Sequence, residues 1–100
     1  MELSGNDRKL IQDFFSVRPV KRAYLFGSFA RKEANSTSDI DILVELDHSQ
    51  PIGMKFFLFQ SELESLLNKK VDLVSMDGLS YYVKPFVDQD KVLIYEGKNL

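Results

Sequence analysis

Apolar residues divide this 100-residue chain into segments with helical spacing and segments with strand spacing, which alternate from one end to the other. Helical spacing predicts helices at about 6–17, 28–33, 51–69 and 80–87, with Ser4 or Asn6 capping the first. Alternating or short continuous apolar runs predict strands at about 22–26, 39–46, 71–75 and 92–95. This order indicates an α/β or α+β fold with a small sheet. The length suffices for one modest core, so we expect a single domain over residues 1–100.

The composition excludes several kinds of chemistry. The chain has no cysteine, which excludes a disulfide framework, a thiol nucleophile and a cysteine zinc site. A single histidine excludes a histidine-rich metal cluster. That residue, His48, stands in the polar run 47–51, which predicts a turn rather than a catalytic position.

Charge and hydropathy limit the kinds of partner that we expect the protein to bind. Thirteen basic and fifteen acidic residues are mixed along the chain and give a net charge of −2, so we expect no direct binding of nucleic acid. No apolar run approaches the ~20 residues of a membrane span, and the first residues lack the features of a signal peptide. We therefore expect a cytoplasmic protein without a membrane partner.

Two carboxylates stand close together at the start of the second predicted strand. Asp39 and Asp41 are two residues apart, so they project from the same face of that strand. Neighbouring carboxylates resist joint ionisation unless a cation lies between them, and their oxygens suit Mg²⁺ or Mn²⁺. The alternative is that both residues simply meet solvent where the strand begins.

Two further features are weaker when they are taken alone. Gly27-Ser28 stands between a strand and a helix, where free backbone N–H groups can bind phosphate, and Arg31 could add a cation. A plain turn would have the same residues. Asp72 lies in an otherwise apolar strand, where it could act chemically or pair with Lys69 or Lys70.

Together these features form a specific pattern. Gly27-Ser28, then Ser38-Asp39-Ile40-Asp41, then the later Asp72, resemble the signature of the DNA polymerase β-like nucleotidyltransferase superfamily. The likeness is to the minimal nucleotidyltransferases, the MntA-like antitoxins that are paired with HEPN toxins. It covers nearly the whole chain and implies the nucleotidyltransferase fold, a small mixed β-sheet flanked by helices. The family often has glycine after the arginine, where this chain has Lys32.

The resemblance assigns a role to each of these residues. It implies two Mg²⁺ ions, with Mn²⁺ as a possible substitute, bound by the three carboxylates Asp39, Asp41 and Asp72. It also implies that Asp72 orients or deprotonates the acceptor. The implied nucleotide-binding residues are Gly27 and Ser28 on the β- and γ-phosphates, Arg31 on phosphate charge, and Ser38, which would orient Asp39 or bind a phosphate.

The resemblance also implies a function. AMP would pass from ATP to a hydroxyl, that of a tyrosine on a cognate HEPN ribonuclease toxin, and the modification would silence the toxin. A homo- or hetero-oligomer is compatible with this role. The alternative is an antitoxin of the same fold that neutralises its partner by contact alone.

Apolar residues outside the predicted core stripes suggest further surfaces. Met54, Phe57 and Leu58 lie off the stripe of the third helix and form either a partner surface or a patch covered by another segment. The helical spacing of Tyr81, Tyr82 and Phe86 predicts that they belong to the core.

Overall fold

The computed structural model describes residues 2–97 and contains one four-stranded sheet in that range. The strand order is β3-β2-β1-β4, with β2 and β3 parallel and the other neighbours antiparallel, so the predicted mixed sheet is confirmed. The elements in chain order are α1 (Gly5–Ser16), β1 (Val20–Phe26), α2 (Gly27–Ala30), β2 (Ile40–Leu46), α3 (Lys55–Leu67), β3 (Val71–Ser75), a 3₁₀ turn (Met76–Gly78), α4 (Lys84–Asp90) and β4 (Val92–Glu96).

The core occupies one face of the sheet. Helix α1 begins at a cap in which Ser4 Oγ accepts a hydrogen bond from the Asp7 backbone N–H at 3.0 Å. Its buried stripe packs with α3 and with Phe29 of α2 against the sheet. The alternating residues of β2 complete this core, which includes Ile11, Phe15, Ile40, Ile42, Val44 and Leu63, all fully buried.

The opposite face of the sheet carries a different set of side chains. The register pairs Phe26 with Asp41 and Asp41 with Asp72, and it pairs Tyr24 with Leu43. Paired residues share a face, so the predicted carboxylates Asp41 and Asp72 lie side by side on the face away from the main core.

Helix α3 is shorter than predicted. It begins at Lys55 rather than at Pro51, because Gly53 adopts φ +51° and residues 53 and 54 form a turn. Helical spacing predicts a core stripe on this helix, made of Phe56, Phe59, Leu63, Leu66 and Leu67. Phe59, Leu63 and Leu67 are buried as predicted, whereas Leu66 is 44% exposed and its assignment to the stripe is wrong. Met54, Phe57 and Leu58 stay exposed, and no described segment covers them.

The prediction from sequence is least accurate for the segment before β4. Tyr81 and Tyr82 are 85% and 83% exposed and Phe86 is 69% exposed, so they are not core residues. The helix begins at Lys84 with Pro85 in its first turn, where proline is tolerated because the first N–H groups lack helical partners. Helical spacing therefore does not extend back to residue 80.

Helix α3 also covers the outer edge of β3. Gln60 Oε1 accepts a hydrogen bond from the Leu73 N–H, and Glu64 Oε2 accepts one from the Val71 N–H, each at 3.0 Å. Since Gln60 and Glu64 are four residues apart, they lie on one face of the helix. They satisfy two donors of an edge strand that would otherwise be free to pair with another chain.

Candidate active site

The site lies where β1 ends and β2 and β3 begin. Gly27 follows β1 directly and adopts φ +70°, a conformation that side chains other than glycine disfavour. A Cβ atom at Gly27 would collide with Asp41 Oδ2 and lie 3.2 Å from Asp41 Cγ. Glycine is therefore required here both by the backbone conformation and by the close approach of the Asp41 carboxylate.

Asp41 is the most perturbed acid of the site. It is half-buried, and burial together with the nearby Asp72 and Asp39 charges raises its pKa to about 6, while Arg31 partly opposes this rise. Asp72 is exposed and has no ion-pair partner among residues 2–97, since Lys69 instead binds Asp7 at 2.7 Å. The interpretation of Asp72 as an acid paired with Lys69 or Lys70 is therefore wrong.

The residues around Gly27 have distinct partners. Ser28 is half-buried, and within residues 2–97 no hydrogen bond engages its hydroxyl. Arg31 Nε donates to Glu33 at 3.0 Å and Nη1 donates to Asp90 at 2.8 Å. The Asp90 carboxylate, followed by that of Glu33, raises the Arg31 pKa above its ordinary value. Phosphate that binds Arg31 must therefore compete with two carboxylates.

The loop before β2 is closed by its own polar side chains. Asn35 Oδ1 accepts hydrogen bonds from the Thr37 backbone N–H at 2.9 Å and from Thr37 Oγ1 at 2.7 Å. Ser38 Oγ accepts from the Asn35 backbone N–H at 3.0 Å. The Ser38 hydroxyl thus stabilises the loop that carries Asp39, rather than bonding to the Asp39 side chain.

Lys32 explains the departure from the family pattern. It adopts φ 62°, the left-handed conformation in which glycine is the favoured residue. The chain therefore makes the turn that the usual glycine would make, but with a residue that is strained there.

Residues 9–99 match the family model described as polymerase beta, nucleotidyltransferase. The chain belongs to this nucleotidyltransferase family. A Methanocaldococcus jannaschii protein named "putative protein adenylyltransferase" is 47% identical over 78 residues, which cover 78% of this chain and 86% of that protein. The protein adenylyltransferase MntA of Thermococcus cleftensis is 34% identical over 87 residues, which cover 87% of this chain and 84% of that protein.

A solved structure agrees with this assignment. A chain in the crystal structure of a mutant of the toxin-antitoxin MntA-HpeT superposes with a TM-score of 0.69 and 26% sequence identity, over 96% of this chain and 75% of that chain. The predicted family and the predicted nucleotidyltransferase fold are confirmed.

The carboxylates of this nucleotidyltransferase fit a hard divalent cation by their chemistry. Asp41 and Asp72 offer oxygen donors on one rung of the sheet, and their repulsion is of the kind that a cation relieves. Within residues 2–97, no three acidic, histidine or cysteine side chains already converge as a metal cluster. Asp39 immediately precedes β2 and is exposed, and its charge contributes to the raised pKa of Asp41.

Several other features of the chain lie outside the sequence motif. His48 is exposed beyond the far end of β2 and binds Asp77 at 2.7 Å, in the turn that the sequence predicts. Asp90 reaches Arg31 from α4, and only the fold brings the two together. Among residues 2–97, no helix is both long enough and apolar enough to span a membrane.

Proposed function

We propose that this nucleotidyltransferase transfers AMP from ATP to the tyrosine hydroxyl of a HEPN ribonuclease toxin and thereby silences it. The observation that carries the proposal is the pair Asp41 and Asp72 on one rung of the sheet. Asp41 lies against the Gly27 backbone, and Asp72 has no ion-pair partner among residues 2–97. Relatives named protein adenylyltransferase support the reaction type, and the likeness to a toxin-antitoxin chain supports the class of partner.

The residues divide into a nucleotide side and a carboxylate side. The backbone at Gly27, which no Cβ obstructs, and the free Ser28 hydroxyl bind the β- and γ-phosphates. Arg31 leaves Asp90 or Glu33 to neutralise phosphate charge, and its planar guanidinium suits two oxygens at once. Asn35 and Ser38 fix the loop that presents Asp39.

The carboxylates Asp39, Asp41 and Asp72 would hold two Mg²⁺ ions, with Mn²⁺ as a substitute. Bound there, the ions would activate the acceptor hydroxyl and stabilise the charge of the leaving pyrophosphate. Asp72 lies at the outer carboxylate position of this rung and orients or deprotonates the acceptor. The half-buried Asp41 sits between Asp72 and the Gly27 backbone, so it is the acid that links the acceptor side to the phosphate side.

The test is AMP transfer to a partner. The protein is incubated with Mg²⁺, ATP labelled at the α-phosphate and a HEPN protein encoded beside it, and transfer is followed by label and by intact mass. Transfer by the wild type, and its loss in Asp39→Ala and Asp41→Ala variants that still fold, are expected. Equal behaviour of wild type and variants would contradict the catalytic proposal.

A second candidate function is neutralisation by contact alone. The exposed apolar residues Met54, Phe57 and Leu58 favour it, because a patch of this kind is suited to binding another protein. Growth rescue of cells that express the toxin separates the two functions. Rescue that survives Asp39→Ala and Asp41→Ala would establish the contact mechanism, whereas loss of rescue supports catalysis.

A further inference from the structure

The arginine proposed to bind phosphate is held by an acid from another element. Arg31 Nη1 donates to Asp90 Oδ2 at 2.8 Å, and Arg31 Nε donates to Glu33 Oε2 at 3.0 Å. Arg31 stands one turn after Gly27, since its backbone N–H donates to the Gly27 carbonyl at 3.0 Å. The Arg31 charge also opposes the rise in the pKa of Asp41, so the guanidinium lies close enough to act on that carboxylate. Asp90 therefore pairs with a cation of the candidate site.

Asp90 is the stronger of the two partners of Arg31. The Asp90 side chain is 24% exposed, whereas that of Glu33 is 66% exposed. Solvent and salt screen an ion pair less where its charges are less exposed. Asp90 is correspondingly the larger of the two causes that raise the Arg31 pKa. An anion that is attracted to Arg31 therefore competes chiefly with Asp90.

The position of Asp90 is unfavourable for its own helix. It is the last residue of α4, at the end where the helix dipole disfavours a negative charge. The other acid of α4, Asp88, pairs instead with Lys84 at 2.8 Å and with Lys91 at 2.9 Å. Within residues 2–97, the ion pair with Arg31 is the only one that Asp90 makes. The charge of Asp90 is thus compensated by the site and not by α4.

Helix α4 is anchored to the core by little else. Of its seven residues, all of which the structure describes, Val87 is the one that is buried. Phe86 within the helix, and Tyr81 and Tyr82 before it, are exposed. A segment with few buried apolar contacts opens at a low cost in free energy. The bond between α4 and Arg31 is therefore a contact that the molecule can give up without disturbing its main core.

We propose that Asp90 competes with the nucleotide triphosphate for Arg31 and lowers the ATP affinity of the site for as long as α4 holds this ion pair. The inference rests on the proposed function, because that function places Arg31 on phosphate charge. In the free protein, the Asp90 carboxylate offsets the Arg31 charge and repels an approaching phosphate. When ATP binds, the triphosphate takes over the guanidinium, and α4 loses its ion pair with Arg31. Because coupling between two sites is reciprocal, a partner that draws α4 away from Arg31 strengthens ATP binding.

Calorimetric titration with Mg²⁺ and the non-hydrolysable β,γ-imido analogue of ATP tests the proposal without a partner or turnover. Asp90→Asn should bind the analogue about two- to fivefold more tightly than the wild type, the range expected when one partly exposed ion pair is lost. Asp88→Asn removes the same charge from the same helix and should leave the affinity unchanged. In an Arg31→Ala background, the gain from Asp90→Asn should disappear, because Asp90 acts through Arg31.

The possible results separate this proposal from its alternatives. Weaker binding by Asp90→Asn would show that Asp90 only orients Arg31, and unchanged binding would show that it does not compete; either result overturns the proposal. An equal gain in Asp88→Asn, or a gain from Asp90→Asn that persists beside Arg31→Ala, would overturn it as well.

A second measurement follows α4 itself. Inorganic tripolyphosphate with Mg²⁺, which has neither base nor ribose, should shift the backbone amide NMR signals of residues 87–91, and Arg31→Ala should remove these shifts. Equal shifts in wild type and variant would contradict release of α4 through Arg31. If Arg31→Ala binds the ATP analogue as tightly as the wild type, the phosphate role of Arg31 in the proposed function fails, and this inference fails with it. AMP transfer by the wild type, with no gain in Asp90→Asn, refutes this inference alone.

Discussion

Asp41 is the residue whose charge the fold tolerates least. Burial and two neighbouring carboxylates raise its pKa from 3.8 to about 6. Between these two pKa values the folded state therefore binds more protons than the unfolded state. The free energy of unfolding is consequently highest below pH ~4 and falls as pH rises through ~6. The same repulsion that makes the site attractive to a cation weakens the metal-free fold at neutral pH.

Asp41→Asn should consequently be more stable than the wild type at pH 7.5 in the absence of divalent ions. We expect a gain on the order of 1 kcal/mol, reduced from the full shift because Asp41 is only half-buried. The gain should shrink as pH falls from 6 to 4, where wild-type Asp41 becomes protonated. Urea unfolding at several pH values measures it, with the exposed Asp13→Asn as the matched control; a variant less stable at pH 7.5 would contradict the argument.

Lys32 offers a second test at the residue scale. Its left-handed backbone costs about 1–2 kcal/mol relative to glycine, and glycine returns roughly 0.5–1 kcal/mol through its greater freedom in the unfolded chain. Lys32→Gly should therefore stabilise the protein by about 0.5–1 kcal/mol. The matched control is Asn68→Gly, since Asn68 has a similar φ of 54° but asparagine tolerates it. Thermal unfolding that shows no gain at Lys32, or an equal gain at Asn68, would refute the assignment of strain.

At the scale of elements, α3 covers the outer edge of β3, where a fifth strand could otherwise pair. Gln60 and Glu64 bond the outward N–H groups of β3, and β3 carries Asp72. Glu64→Ala should destabilise the protein by about 1–2 kcal/mol, because a charge-assisted hydrogen bond to a part-buried donor is lost. Glu64→Gln keeps an acceptor and should recover part of this loss. Ser65→Ala, on the exposed side of the same helix, should cost nothing in urea unfolding, and an equal loss there would contradict edge capping.

The sequence predicted elements well where the signal is local. The alternation from Asp39 to Leu46 predicts β2, and the structure has a strand at Ile40–Leu46, so that Asp41 lies on the strand and Asp39 directly before it. The start of α4 was misplaced because aromatic residues at helical spacing outweighed Pro85, which belongs in a first turn. Proline was the better signal, since its missing N–H constrains the backbone whatever the surroundings.

The residues of the candidate site also differ in whether local sequence identifies them. Gly27, Asp41 and Asp72 are readable because each marks the end or the beginning of a strand, and neighbouring strand ends meet. The bond between Arg31 and Asp90 is not readable, because it joins residues 59 positions apart through the placement of α4. The ion pair between Lys69 and Asp7 is not readable either, since only the fold brings these two residues together.

At the scale of the whole molecule, the two faces of the sheet have opposite effects on stability. One face supplies the apolar burial that stabilises the fold, and it contains Ile40, Ile42 and Val44 of β2. The other face of the same strand carries Asp41, whose charge opposes folding at neutral pH. The stability of the fold and the charge of the candidate site are therefore coupled through one strand. Any change that neutralises Asp41 should raise the free energy of unfolding of the whole domain.

Divalent cations should accordingly stabilise the folded protein. A cation that binds only the folded state contributes about 1.4 kcal/mol at ten times its Kd, which corresponds to a rise of roughly 5–10 °C in Tm for a domain of this size. The expected result is a rise in Tm with Mg²⁺ at constant ionic strength, together with loss of the pH dependence between 4 and 6. An Asp41→Asn, Asp72→Asn double variant should start more stable and gain nothing from Mg²⁺. Equal gains in wild type and double variant would place the cation elsewhere, because Asp41 and Asp72 are paired on one rung of the sheet and, within residues 2–97, neither has an ion-pair partner.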